Sequence, residues 1–85
     1  MITRRATILT TATSVYDLIN ITQATWSGIF FQASDSNVDT VLFGDPSVQL
    51  HELRPRANGY LPVANSKSLF FVAPNVGNTV VFSLF

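Results

Sequence analysis

Eighty-five residues make a single domain, near the size at which folding buries only about 60% of the unfolded chain's surface, so a staple is expected from other chains. The sequence has no cysteine and one histidine, His51, which excludes disulfides, thiolate metal sites and a multi-histidine metal site within one chain. Charged residues are 12% of the chain against a usual value of about 25%, and five basic residues balance five acidic ones. A formal net charge of zero removes self-repulsion, favours association and argues against a nucleic-acid footprint.

At the start, Arg4 and Arg5 precede a stretch that is largely threonine and lacks the apolar core of a secretory signal. No run approaches the roughly 20 apolar residues of a membrane-spanning helix. The terminal Phe85 resembles the aromatic end of outer-membrane barrel strands, but one short chain does not close such a barrel, and no membrane association is expected. Arg5 to Ala12 alternates Thr7, Leu9 and Thr11 against Ala6, Ile8 and Thr10, a strand pattern. Val15, Leu18 and Ile19 in VYDLIN suit a strand or one helical turn, and the strand-rich surroundings favour strand. TQATWSGIFFQA sets Trp26, Gly28 and Phe30 on one face and Ile29 and Phe31 on the other, a core strand in which Gly28 marks a bulge or a close backbone approach.

SDSNVD is a polar turn, Val41 to Phe43 a further extended segment, and Gly44, Asp45 and Pro46 a strong break. Ser47 to Leu53 alternates as a half-exposed strand. RPRANGYLPVANSK, with two prolines and an Asn-Gly pair, is expected to be a long irregular loop or arm over residues 54–67. The last eighteen residues, Ser68 to Phe85, flank a Pro/Asn/Gly cluster with two apolar, β-branched and aromatic runs, the signature of a β-hairpin. In it Val80, Phe82 and Leu84 share the core face, and Phe85 falls on the mixed face with Thr79 and Ser83. The fold class expected is all-β: a small antiparallel sandwich or barrel of six to seven short strands, residues 1–85 forming one domain.

Few residue clusters suggest chemistry. Asp35, Asn37 and Asp39 copy the first alternating oxygen ligands of a calcium loop, but Thr40 stands where the turn glycine belongs and no loop-closing glutamate follows, so an Asx turn is the reading. His51 and Glu52 are adjacent on an extended segment and point to opposite faces, and no cysteine, second histidine or Gly-flanked serine completes a triad. No catalytic residue, metal or cofactor is therefore assigned. Asn20, Ile21 and Thr22 spell a glycosylation sequon, which means nothing without export. Arg54 and Arg56, on either side of Pro55, suit bidentate pairing with carboxylates of a neighbouring chain and equally suit a solvated loop. Seven Phe exceed what one small core easily surrounds, so Tyr60 and Phe85 join Arg54 and Arg56 as candidate protein-interface residues.

Val41, Gly44, Asp45 and Val48 form a strand turn, Gly59, Leu61 and Ser66 or Ser68 a middle segment, and Gly77, Val80 and Phe82 a closing strand. Together these three patterns resemble small β-sandwich virion proteins of tailed bacteriophages. Leu61-Pro62-Val63-Ala64 departs from the commoner Leu-x-Pro-Gly before the penultimate strand. The resemblance implies a non-enzymatic decoration or cement protein, made in the host cytoplasm and located on the virion. Its implied partners are the major capsid protein or another virion protein, and its own copies as a homo-oligomer, most plausibly a trimer. A tail or head-completion component is the alternative within that class. A carbohydrate- or ligand-binding β module is the alternative outside it, with Trp26 and Tyr60 as stacking faces.

Overall fold

In the last strand Val80, Phe82 and Leu84 are fully buried while Thr79, Val81 and Ser83 between them are half-buried, a period-two pattern that sets one face against a core. The computed structural model describes every residue, the side chain of Val63 excepted. Among the described residues, eight strands and one helical turn run in the order β1 (Ile2–Thr7), β2 (Thr13–Ser14), α1 (Val15–Leu18), β3 (Thr25–Ala33), β4 (Val41–Gly44), β5 (His51–Leu53), β6 (Asn58–Asn65), β7 (Phe70–Val72) and β8 (Thr79–Leu84). They form two four-stranded sheets, ordered β1-β8-β3-β6 and β2-β7-β4-β5, with every pairing antiparallel. Of the two architectures expected, sandwich or barrel, this is the all-β sandwich, with eight strands rather than six or seven because the 54–67 span adds β6.

The two terminal runs are not a hairpin. β7 lies between β2 and β4 in the second sheet, and β8 lies between β1 and β3 in the first, so residues 74–78 form an arch from one sheet to the other. The reason is in their apolarity: each run needs a neighbour on both edges and a cover on its inner face. A hairpin would set the two runs side by side in one sheet, where Phe71 and Phe82 could not meet across a core. The arch instead stacks them across the core, with ring centroids 5.0 Å apart at 81°. Phe31 and Phe43 complete the cluster, at 5.0 Å from each other and 5.3 and 5.5 Å from Phe71.

Buried polar side chains pin the arch. Asn78 is fully buried; its amide donates to Asp39 Oδ2 (2.9 Å) and to the Asn75 carbonyl (3.1 Å), and its Oδ1 accepts from the Asp39 N–H (3.2 Å). Asn37 spends both amide atoms on the backbone of Thr79, at 2.8 and 2.9 Å. The Asp35, Asn37, Asp39 spacing thus ties a polar turn to the arch, with the Asn37 and Asp39 oxygens taken by amide donors.

Other segments depart from the sequence reading for local reasons. VYDL is a helical turn, because Ser14 caps it: its Oγ accepts from the Asp17 N–H and donates to Asp17 Oδ2, both at 3.2 Å, while Val15 and Ile19 enter the core. The first strand takes Ile2–Thr7 rather than Arg5 to Ala12, and in the Ser47 to Leu53 segment only His51–Leu53 pairs. Within β3 the buried phase shifts from Trp26 and Gly28 to Ile29, Phe31 and Ala33. Ser27 and Gly28 both face Phe85 there: the Ser27 N–H donates to the Phe85 carbonyl (2.7 Å) and the Phe85 N–H to the Gly28 carbonyl (3.0 Å), a bulge at the expected glycine.

The largest correction concerns residues 54–67, expected as a loop or arm. Most of that span is β6, an edge strand of the first sheet. The irregular part is short: the Ala57 N–H bonds the Arg54 carbonyl (2.9 Å) around Pro55 and Arg56, with Arg56 at φ 72°, the geometry of a type II turn. Pro62 does not break the strand because of its register. Ala33 N–H bonds the Ala57 carbonyl (2.9 Å), which places the bonded β3 pairs at odd positions and directs the backbone groups of Asn58, Tyr60 and Pro62 away from β3. Proline there has no ladder bond to lose. Gly59 is needed for a different reason, since a Cβ on it would stand 2.6 Å from the ring of Phe31.

Candidate functional site

The register of the first sheet assembles one continuous outer face from four strands. Arg5, Val81, Gln32 and Asn58 form one row across it, and Thr3, Ser83, Phe30 and Tyr60 form the next. Phe85, Gly28 and Pro62 follow beyond, at the bulge. The rows hold side chains that the inward alternation leaves out, and among the described residues no second layer packs on them. Thr3, Arg5, Gln32, Asn58 and Pro62 are exposed, Tyr60 is 53% and Phe85 48% exposed, and Phe30 and Val81 are half-buried by their neighbours. Thr3 and Ser83 share a hydroxyl hydrogen bond of 3.2 Å across the β1–β8 pair. Gly28 lets the Tyr60 side chain lie flat, because a Cβ at position 28 would collide with the phenol oxygen. The face is therefore smooth and aromatic towards the bulge, and polar and basic towards the Arg5 row.

At the basic end a hollow of about 550 Å³ is lined by Arg5, Gln32, Ser34, Asp35, Arg56 and Val81. The type II turn before β6 brings Arg56 to it, and the β1–β8 pairing brings Arg5. Of the four interface residues read from the sequence, Arg56, Tyr60 and Phe85 thus fall on or beside one face. Arg54 does not join them: it follows β5 and its Nε stands 3.6 Å from Glu52, with both side chains largely exposed. Arg5 and Phe30 were missed. Phe30 sits between two core residues of the same strand, and Arg5 joins the others only through β1–β8 pairing.

A second concavity, about 620 Å³, opens on the side of the sandwich where β5 and β6 are edges, with Phe31, Phe43, His51, Gly59, Leu61 and Leu69 among its walls. His51 is the exposed end of an aromatic row, 5.3 Å from Phe43 and tilted 31° to it. Asp45 shares this wall, but its Oδ1 accepts the N–H groups of Ser47 and Val48 at 2.8 Å each, and His51 makes no side-chain hydrogen bond among the described residues. No three-residue cluster of His, Asp or Glu stands close enough to hold a metal ion among the described residues. Trp26 is only 7% exposed and donates its Nε1–H to the Gln23 carbonyl at 2.8 Å, so it offers no stacking face to a sugar. Comparisons with protein-family models, with curated proteins and with solved structures find no match to this chain.

Proposed function

We propose that this chain is a non-enzymatic structural protein of a virion, of the decoration or cement kind, which docks on the capsid or another virion protein through the outer face of its first sheet. The virion assignment rests on the resemblance of its turn and strand patterns to small phage β-sandwiches. The docking assignment rests on one observation: a four-stranded face carrying Phe30, Tyr60, Pro62 and Phe85 that the fold leaves uncovered. Aromatic side chains on such a face give contact area at low entropic cost, and a neutral chain does not repel its own copies in a dense assembly. The same face serves a tail or head-completion component. The sugar-binding alternative is weaker, because it loses Trp26 and keeps only Tyr60.

Immunogold labelling of purified virions with an antibody to this chain tests the reading. Regular labelling of the particle surface is the expected result. Virions that carry no copy of the chain would remove the proposal.

A further inference from the structure

Zero net charge conceals an uneven division of labour among the charged groups. Asp17 is held by the Ser14 cap, Asp39 by the amides of Asn78 and Asn75, and Asp45 by the N–H groups of Ser47 and Val48. Glu52 faces Arg54, and the Lys67 ammonium lies 4.7 Å above the ring of Tyr16. Four of the five acidic side chains therefore serve the chain itself. On the basic side, Arg4, Arg5 and Arg56 make no ion pair among the described residues. Two of these three line the hollow at the basic end of the outer face of the first sheet.

From this we infer that the partner docked on the outer face is a protein surface that presents a carboxylate beside an apolar patch. The carboxylate enters the hollow between Arg5 and Arg56, and the apolar patch covers Phe30, Tyr60 and Phe85. The inference rests on the docking reading above and adds the chemistry of the partner. A guanidinium is a planar fork of donors that matches a carboxylate bidentately, and Gln32 and Ser34 add neutral polar groups to the same wall. Phosphate-rich partners fit less well: the chain is neutral, and no basic stripe continues beyond the hollow. A second copy fits less well too. Asp35 is the sole uncommitted carboxylate among the acidic residues, and it stands beside the two arginines rather than across the face from them.

The test is a titration of the ¹⁵N-labelled chain, followed by its amide and arginine Nε–H resonances. The probe is an acetylated, amidated peptide alternating glutamate and leucine; its glutamine counterpart and inorganic phosphate are the controls. Saturable shifts at Arg5, Gln32, Ser34 and Val81 are expected with the acidic peptide alone. Arg5→Gln and Arg56→Gln should each weaken binding about two- to fivefold, as for partly exposed charge pairs, and Asp35→Asn should strengthen it. Raising the salt should weaken it further, because the Debye length falls below about 8 Å above physiological ionic strength. All three sites are on the surface, so thermal melts of the variants check that folding is intact.

No shift with the acidic peptide overturns the inference. Equal shifts with phosphate overturn it as well, by making the hollow a general anion site. Shifts of the same residues on simple concentration of the chain overturn it in favour of a second copy. Labelled virions together with a silent peptide titration would remove this inference and leave the docking reading standing.

Discussion

Phe82→Ala should unfold the isolated chain, while Phe85→Ala, three positions along, should hardly be felt. Phe82 is fully buried on a strand paired on both edges, and its ring meets Phe71 edge-on at 5.0 Å from the opposite sheet. Cutting a buried Phe to Ala costs about 3–5 kcal/mol, of which the aromatic pair accounts for about 1. At about 0.05–0.15 kcal/mol per residue a chain this size holds about 4–13 kcal/mol in all, and small domains lie at the low end. The loss is therefore comparable with the whole. Phe85 is 48% exposed on the outer face, so its truncation should cost about 1 kcal/mol or less. Urea melts followed by Trp26 fluorescence measure both, because Trp26 is 7% exposed and reports the folded state from the far end of β3. With a urea slope of about 1–2 kcal/mol per molar, Phe82→Ala should lower the midpoint by about 1.5–5 M, which leaves little or no folded baseline. A Phe82→Ala melt that overlays the wild type, or a Phe85→Ala melt that falls further, would refute the assignment of faces on β8.

Asn78→Ala should cost about 1–3 kcal/mol, because it strips the part-buried Asp39 N–H of its acceptor and frees the arch; calorimetry should show the melting temperature falling by about 4–8 °C per kcal/mol. Arg56→Gly should stabilise by up to about 1 kcal/mol: relief of a left-handed φ of 72° recovers about 1–2 kcal/mol, and glycine's extra freedom in the unfolded chain returns about 0.5–1. The same variant should weaken the acidic peptide, which separates the turn's role from the guanidinium's. Pro62→Val should restore an N–H to the free edge of β6 and promote edge-to-edge association, seen as concentration-dependent light scattering absent from the wild type.

The alternation of Val80, Phe82 and Leu84, and the apolar density around Ile29 and Phe31, were legible in the sequence because period-two burial is a local signal. Partner choice is not. A face pattern is the same whether the next strand lies beside it or across the core, and so the arch at 74–78 read as a hairpin. The same limit hid β6. Asn58-Gly59 and Pro62 carry turn chemistry in isolation, yet at an edge whose outward positions need no N–H the proline is harmless, and the glycine makes room for Phe31. The helical turn at Val15–Leu18 was written in the sequence as Ser14-x-x-Asp17, a cap that the surrounding strand pattern masked.

For the outer face of the first sheet, composition nominated residues without placing them. Arginines beside prolines, and more aromatics than a core of this size encloses, singled out Arg56, Tyr60 and Phe85, which lie on or beside that face, and equally Arg54, which faces Glu52 instead. What separates the two arginines is where their flanking strands go. β5 ends in the second sheet and β6 begins in the first, so the single turn between them sends Arg54 and Arg56 to different surfaces. The pairing of β1 with β8 then adds Arg5 from the other end of the chain. A neutral sequence thus acquires a locally basic surface through topology alone. Asp17, Asp39 and Asp45 are drawn into caps and turns, where Asp has a backbone task, and Arg5 and Arg56, which have none, are left facing outward.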